Sequence, residues 1–180
     1  MAESLSDDDD ASLSLGEGRG PAGRVGARAV EIWALAGGAV LLAVVLMNAV
    51  SVTAGYLANL PVPGDFELTE MGICIAAFAF LPYCQLAGAN VTADIFTEGA
   101  GPRWRAAFAV AGASVALGFS LLLLWRMWAG MNDQREYGYT TTILQAPHWM
   151  AFIPILISLA LLAVAAAMSL GDGARAFRRR

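Results

Sequence analysis

Four stretches of the chain, residues 32–64, 71–93, 106–125 and 137–171, contain no aspartate, glutamate, arginine or lysine. A hydrocarbon core about 30 Å thick is crossed by roughly 20 apolar residues at 1.5 Å rise each. Each stretch is long enough. A soluble helix needs charge on its outer face, and these windows have none to supply. They therefore predict an all-α integral membrane protein with four transmembrane helices.

Composition agrees. Of the 180 residues, 58% are hydrophobic and 14% charged, against ~45–50% and ~25% in soluble domains. The net charge of −4 is set by an acidic N-terminal tail, since Glu3, Asp7, Asp8, Asp9, Asp10 and Glu17 all precede the first window. The basic residues are all arginines and are split among separate segments, which excludes a nucleic-acid-binding surface. Richness in Ala, Gly and Arg with no lysine points to a GC-rich bacterial genome.

Residues 1–28, acidic and then rich in Gly, Ser and Arg, are expected to form a disordered cytoplasmic tail. The membrane domain is expected over 29–170 and a basic cytoplasmic tail over 171–180. The first apolar run exceeds the ~7–15 residues of a signal-peptide core, so an uncleaved span is expected over 29–52. Pro61, Pro63 and Gly64 make a connection. The second span, 67–86, has Asp65, Glu67 and Glu70 at its start, where acids suit the positive helix end. Pro82 lacks the N–H that would bond Phe78, which predicts a kink there. Residues 88–101 are too polar to span and suit a short interfacial helix between the second and third spans. The third span is expected over 104–125, with tryptophans at both ends as in an aromatic belt. A polar loop follows over 130–146. Pro147 then opens the last span, 149–170, since proline is tolerated in a first helical turn.

Cytoplasmic segments of membrane proteins collect arginine and lysine. Placing both termini inside gives the cytoplasm Arg19, Arg24, Arg28, Arg103, Arg105, Arg175, Arg178, Arg179 and Arg180, and leaves only Arg126 and Arg135 outside. That orientation is expected.

Chemistry is scarce. Haem usually needs two axial ligands, and His148 is the single histidine; it reads as a polar residue at headgroup level. Cys74 and Cys84, ten residues apart on one helix, lie roughly 15 Å apart along its axis. That is too far for a disulfide, so they read as packing residues. Zinc sites and phosphate loops find no ligands or motif, and no ionisable residue falls at the centre of a span. No enzyme and no cofactor are expected. The small-residue pairs Ala34/Gly38 and Gly112/Ala116 allow close helix approach, either within the four-helix unit or onto another subunit.

The stretch Pro63-Gly64-Asp65-Phe66-Glu67-Leu68, followed by one span, then Asn90-Val91-Thr92-Ala93-Asp94 and Pro102-Arg103-Trp104-Arg105, resembles the small permease subunit (DctQ-type) of tripartite ATP-independent periplasmic (TRAP) transporters. That family shows a Gly-x-x-Glu-Leu start to its second helix, a His-x-x-x-Asp-like stretch, a basic turn into the third and a Pro-x-Trp start to the fourth, matched here by Pro147 and Trp149. Asn90 stands where the family often has histidine. The resemblance covers 29–170. It implies a non-catalytic scaffold in the bacterial inner membrane that pairs with a large permease subunit. That partner would carry an organic acid or similar solute with sodium, delivered by a periplasmic solute-binding protein. Glu67, Glu70, Asn90, Asp94 and Arg103 are the motif positions it marks as partner-interface candidates. A reading of another class is a quinone-linked membrane anchor of a redox enzyme. Bound haem or quinone would favour that anchor, and a neighbouring gene for a 12-helix permease would favour the transporter subunit.

Overall fold

The structure, a computed structural model, describes residues 21–87 and 102–178. Among the described residues there are four helices and no strands: α1 (Pro21–Ala58), α2 (Asp65–Leu86), α3 (Pro102–Glu136) and α4 (Trp149–Arg178). All four are long and apolar enough to cross a membrane.

The helices run longer than the charge-free windows suggest. α1 begins at Pro21, so 21–28 are helical where a disordered tail is expected; residues 1–20 lie outside the described residues. α4 continues to Arg178, through most of the expected basic tail. α3 runs to Glu136, seven residues into the expected polar loop. That segment is polar yet contains good helix formers, Met131, Gln134, Arg135 and Glu136. The stop comes at Gly138, whose φ is 64°. There Tyr139 N–H closes back on the carbonyl of Gln134 at 3.2 Å, the long bond of a Schellman-type cap. The expected interfacial helix over 88–101 falls outside the described residues. α2 passes through Pro82, which is buried.

α1 packs on α2, α2 on α4, and α4 on α3; α1 also meets α4 along a shorter seam. Among the described residues α3 makes no extended contact with α1 or α2 and is held by α4. The bundle's interior is built from small residues: Ala27, Ala34, Ala76, Ala79, Ala113, Ala165 and Ala166 are buried, with Leu159 the largest fully enclosed side chain. Large apolar side chains such as Leu42, Val45, Phe119 and Leu122 point outward. Lipid tails are as apolar as leucine, so large residues gain little by turning inward, and small ones let backbones approach.

Two short connections share one end of the bundle. Asn59, at φ 56°, ends α1 in the left-handed conformation that asparagine tolerates, and past Pro61 the chain turns into α2 over Val62–Asp65, where the N–H of Asp65 donates to the carbonyl of Val62 at 3.3 Å. Loop 137–148 folds back on itself through His148 N–H to Tyr139 O at 3.1 Å and Thr141 N–H to Ala146 O at 3.0 Å. The Arg135 guanidinium lies 5.5 Å from the ring centroid of Trp149, joining the end of α3 to the start of α4 by a cation–π contact.

Candidate functional site

Glu67 lies in the first turn of α2. Its two carboxylate oxygens accept one bond each from the N–H of Ile143, at 2.7 Å, and of Leu144, at 3.0 Å. Those successive N–H groups form the tip of the loop between α3 and α4, where no secondary structure would satisfy them. Consecutive amides aimed at one anion make a strong acceptor site, and bonds to an ionised acceptor are the stronger kind. The loop thus closes onto α2 by a two-point clasp.

Gly64 seats it. It precedes α2 with φ 75°, a conformation costly for any residue with a β-carbon. A β-carbon there would also collide with the side chain of Leu144. The Gly-x-x-Glu spacing therefore has a local meaning: the glycine makes room for the loop and the glutamate binds its backbone.

A second set of polar contacts ties α1 to α2. The buried Ser51 hydroxyl donates to Asp65 Oδ2 at 2.6 Å and accepts from Val62 N–H at 3.1 Å. One turn deeper, Asn48 Nδ2 donates to Thr69 Oγ1 at 2.7 Å, and the Thr69 hydroxyl passes on to the carbonyl of Asp65 at 2.6 Å. Across the bundle, Trp33 Nε1 donates to Ser158 Oγ at 2.9 Å, while that hydroxyl bonds the carbonyl of Pro154.

The five expected site residues divide. Glu67 and Glu70 sit together on the first two turns of α2, at the end of the bundle with the two connections. Glu67 is engaged by the loop; Glu70 is exposed beside it. Arg103 occupies the second position of α3. Asn90 and Asp94 lie outside the described residues. The Ser51–Asp65 and Asn48–Thr69 pairs are additions. Their signal is present in the sequence: Asn48 and Ser51 are three apart in an otherwise apolar span, and Asp65 and Thr69 are four apart on the next.

The small-residue pairs also separate. Ala34 is buried, and Gly38 faces Phe80, so that pair packs inside the bundle. Gly112 has nothing beside it among the described residues. Cys74 and Cys84 are both free and half-buried. Among the described residues no group of three or more His, Cys, Asp or Glu side chains converges as a metal site would require. The arrangement offers contacts that order a loop and a helix pair.

Comparison with known families finds a match. The family described as "Tripartite ATP-independent periplasmic transporters, DctQ component" matches residues 41–176, well over half the chain. No curated protein and no solved structure matches.

Proposed function

Because the chain belongs to the DctQ component family of tripartite ATP-independent periplasmic transporters, we propose that it is the non-catalytic small subunit that scaffolds a large permease. The family match across four membrane-length helices carries this reading. In it the large permease moves the solute, an organic acid or similar compound, driven by sodium. A periplasmic solute-binding protein delivers that solute. The charge-free windows support a passive role, because carriers that couple transport to ions place ionisable groups within the membrane.

The arginine distribution supports cytoplasmic termini, which puts the clasped loop on the periplasmic side. A reporter fused after Arg180 is expected to be active in the cytoplasm; periplasmic activity at that position reverses the orientation. Glu67 then acts through the loop it holds, which presents Ile143 and Leu144 outward as exposed side chains. Glu70, Asn90, Asp94 and Arg103 are the further candidates for holding the permease in register.

The test is co-purification with the large subunit and solute uptake by the pair. Glu67→Ala releases both loop amides, so exchange at Ile143 and Leu144 quickens while the chain stays inserted, and complex yield and uptake fall. Full complex and full uptake in Glu67→Ala, Asp94→Ala and Arg103→Ala alike place the interface elsewhere. The subunit alone in liposomes is expected to transport nothing, and uptake there overturns the scaffold reading.

A further inference from the structure

A cavity of about 610 Å³ opens beside the clasp, between α2, α4, the second half of α3 and the loop. Two helix stripes face each other across it. α2 contributes Glu70, Met71 and Cys74, and α4 contributes Ala151, Phe152 and Ile155, with His148 just before its start. Spacings of three and four residues put each set on one face of its helix. Met127 of α3 closes one side.

The polar groups of the lining gather at one end of the cavity, where Phe66 and Ile143 also stand. The carboxylate of Glu70, the His148 ring and the hydroxyls of Thr140 and Thr142 lie at the helix starts and in the loop. Met71 is the next residue after Glu70, Cys74 and Phe152 follow about one turn deeper and Ile155 about two. A lipid in a leaflet has the same order, with its polar head at the boundary and its chain inward. No arginine lines the space, which disfavours an anionic head. Both Glu67 oxygens are taken by the loop. Glu70 makes no hydrogen bond or ion pair among the described residues and is exposed at the mouth.

We propose that this cavity holds one aminophospholipid drawn from the surrounding leaflet, its ammonium on Glu70 and part of one acyl chain between Met71, Met127, Phe152 and Ile155. A primary ammonium carries the opposite charge and donates hydrogen bonds to a carboxylate, a charge-assisted pair. A choline head carries the charge but cannot donate. The threonine hydroxyls and the His148 ring are placed to donate to the lipid phosphate. The volume falls in the ~300–1,000 Å³ range of small-molecule sites, enough for a headgroup and a chain segment with the remainder of the lipid lying along the bundle.

The experiment uses the full chain in nanodiscs of equal phosphatidylethanolamine, phosphatidylglycerol and phosphatidylcholine, transferred to mild detergent, with retained lipids counted by native mass spectrometry. Phosphatidylethanolamine is expected to be retained over phosphatidylglycerol by about tenfold, the equivalent of about 1.4 kcal/mol. Glu70→Gln is expected to erase that preference. Ala151→Phe, which fills the cavity, is expected to abolish retention. Glu70 is exposed, so Glu70→Gln leaves the fold intact and decides the matter even where Ala151→Phe does not fold. Equal retention of the three lipids by the unmodified chain, or an unchanged preference in Glu70→Gln, overturns the proposal. So does displacement of a bound quinone instead of a lipid, or binding of dodecylammonium by a chain that retains no phosphatidylethanolamine.

Discussion

The α1–α2 seam and the outward face of α3 carry the same sequence signal and use it in opposite ways. Both helix sets contain glycines within apolar runs. On the seam those glycines are in contact: a β-carbon at Gly37 would lie 2.6 Å from that of Ala79, and one at Gly72 would collide with Val44. Beside them run the Asn48–Thr69 and Ser51–Asp65 hydrogen bonds. On α3, Gly112 and Gly118 meet nothing among the described residues, and Val115, Phe119 and Leu122 stand exposed around them. Within a bilayer, small residues and polar bonds are what join helices, since burial of apolar surface contributes little. A glycine in a span therefore marks a possible contact, and only the partner side shows whether it is made within the chain.

The sharpest way to break this comparison is Gly72→Leu. The added side chain must displace Val44 or separate α1 from α2. Overpacking a tight contact costs about 1–3 kcal/mol, occasionally more. Thermal unfolding in detergent is expected to shift well below the unmodified chain, with loss of monodisperse protein at the upper end of that range. Melting at an unchanged temperature would mean that the two helices do not meet at Gly72.

The polar half of the seam should matter less. Interhelical hydrogen bonds in membranes average about 0.6 kcal/mol and reach about 1.7, because the separated helices also find partners. A double-mutant cycle with Asn48→Leu and Thr69→Val, measured by unfolding in mixed micelles, is expected to return a coupling of about that average. A coupling of zero would leave the seam's stability to the glycine contacts and the Ser51–Asp65 bond.

How far the sequence announces this structure depends on where each partner lies. The four spans are legible because each charge-free window is a local property, and Pro61 and Pro63 mark their connection directly. The last turns of α3 are not, because Gly130 and a polar run resemble a loop. The helix continues there on the propensity of Gln134, Arg135 and Glu136 and stops only at Gly138. Glu67 stands out as a charge at the start of a span, but its partner amides are 76 and 77 residues away. Main-chain N–H groups, moreover, leave no mark in residue identity. Gly64 reads as a helix breaker from sequence; that it also makes room for Leu144 needs the fold. The cavity is equally hidden, since its two stripes become a site only when α2 and α4 face each other.

The smallest expected effect is the most informative about assembly. Gly112→Leu places a large apolar side chain where no described residue lies within 4 Å of the new β-carbon. A substitution away from any packed feature changes stability by less than about 0.5 kcal/mol, and in lipid the new side chain is well solvated. The isolated subunit carrying Gly112→Leu should therefore match the unmodified one in yield and unfolding temperature. Its behaviour with the large permease is the discriminating readout. If α3 docks there through its small residues, leucine at this position holds the helices apart, and co-purification falls while the subunit stays folded. If the complex forms at full yield, α3 faces lipid at that level, and the docking surface belongs to α1 or to the clasped loop. Gly118→Leu, also in open space, extends the reading along the helix. Loss of complex at Gly112 alone would confine the contact to the half of α3 nearer its start. A lower unfolding temperature in the isolated Gly112→Leu chain would mean that this face is already covered by the protein's own residues, and the contrast with the α1–α2 seam would fail.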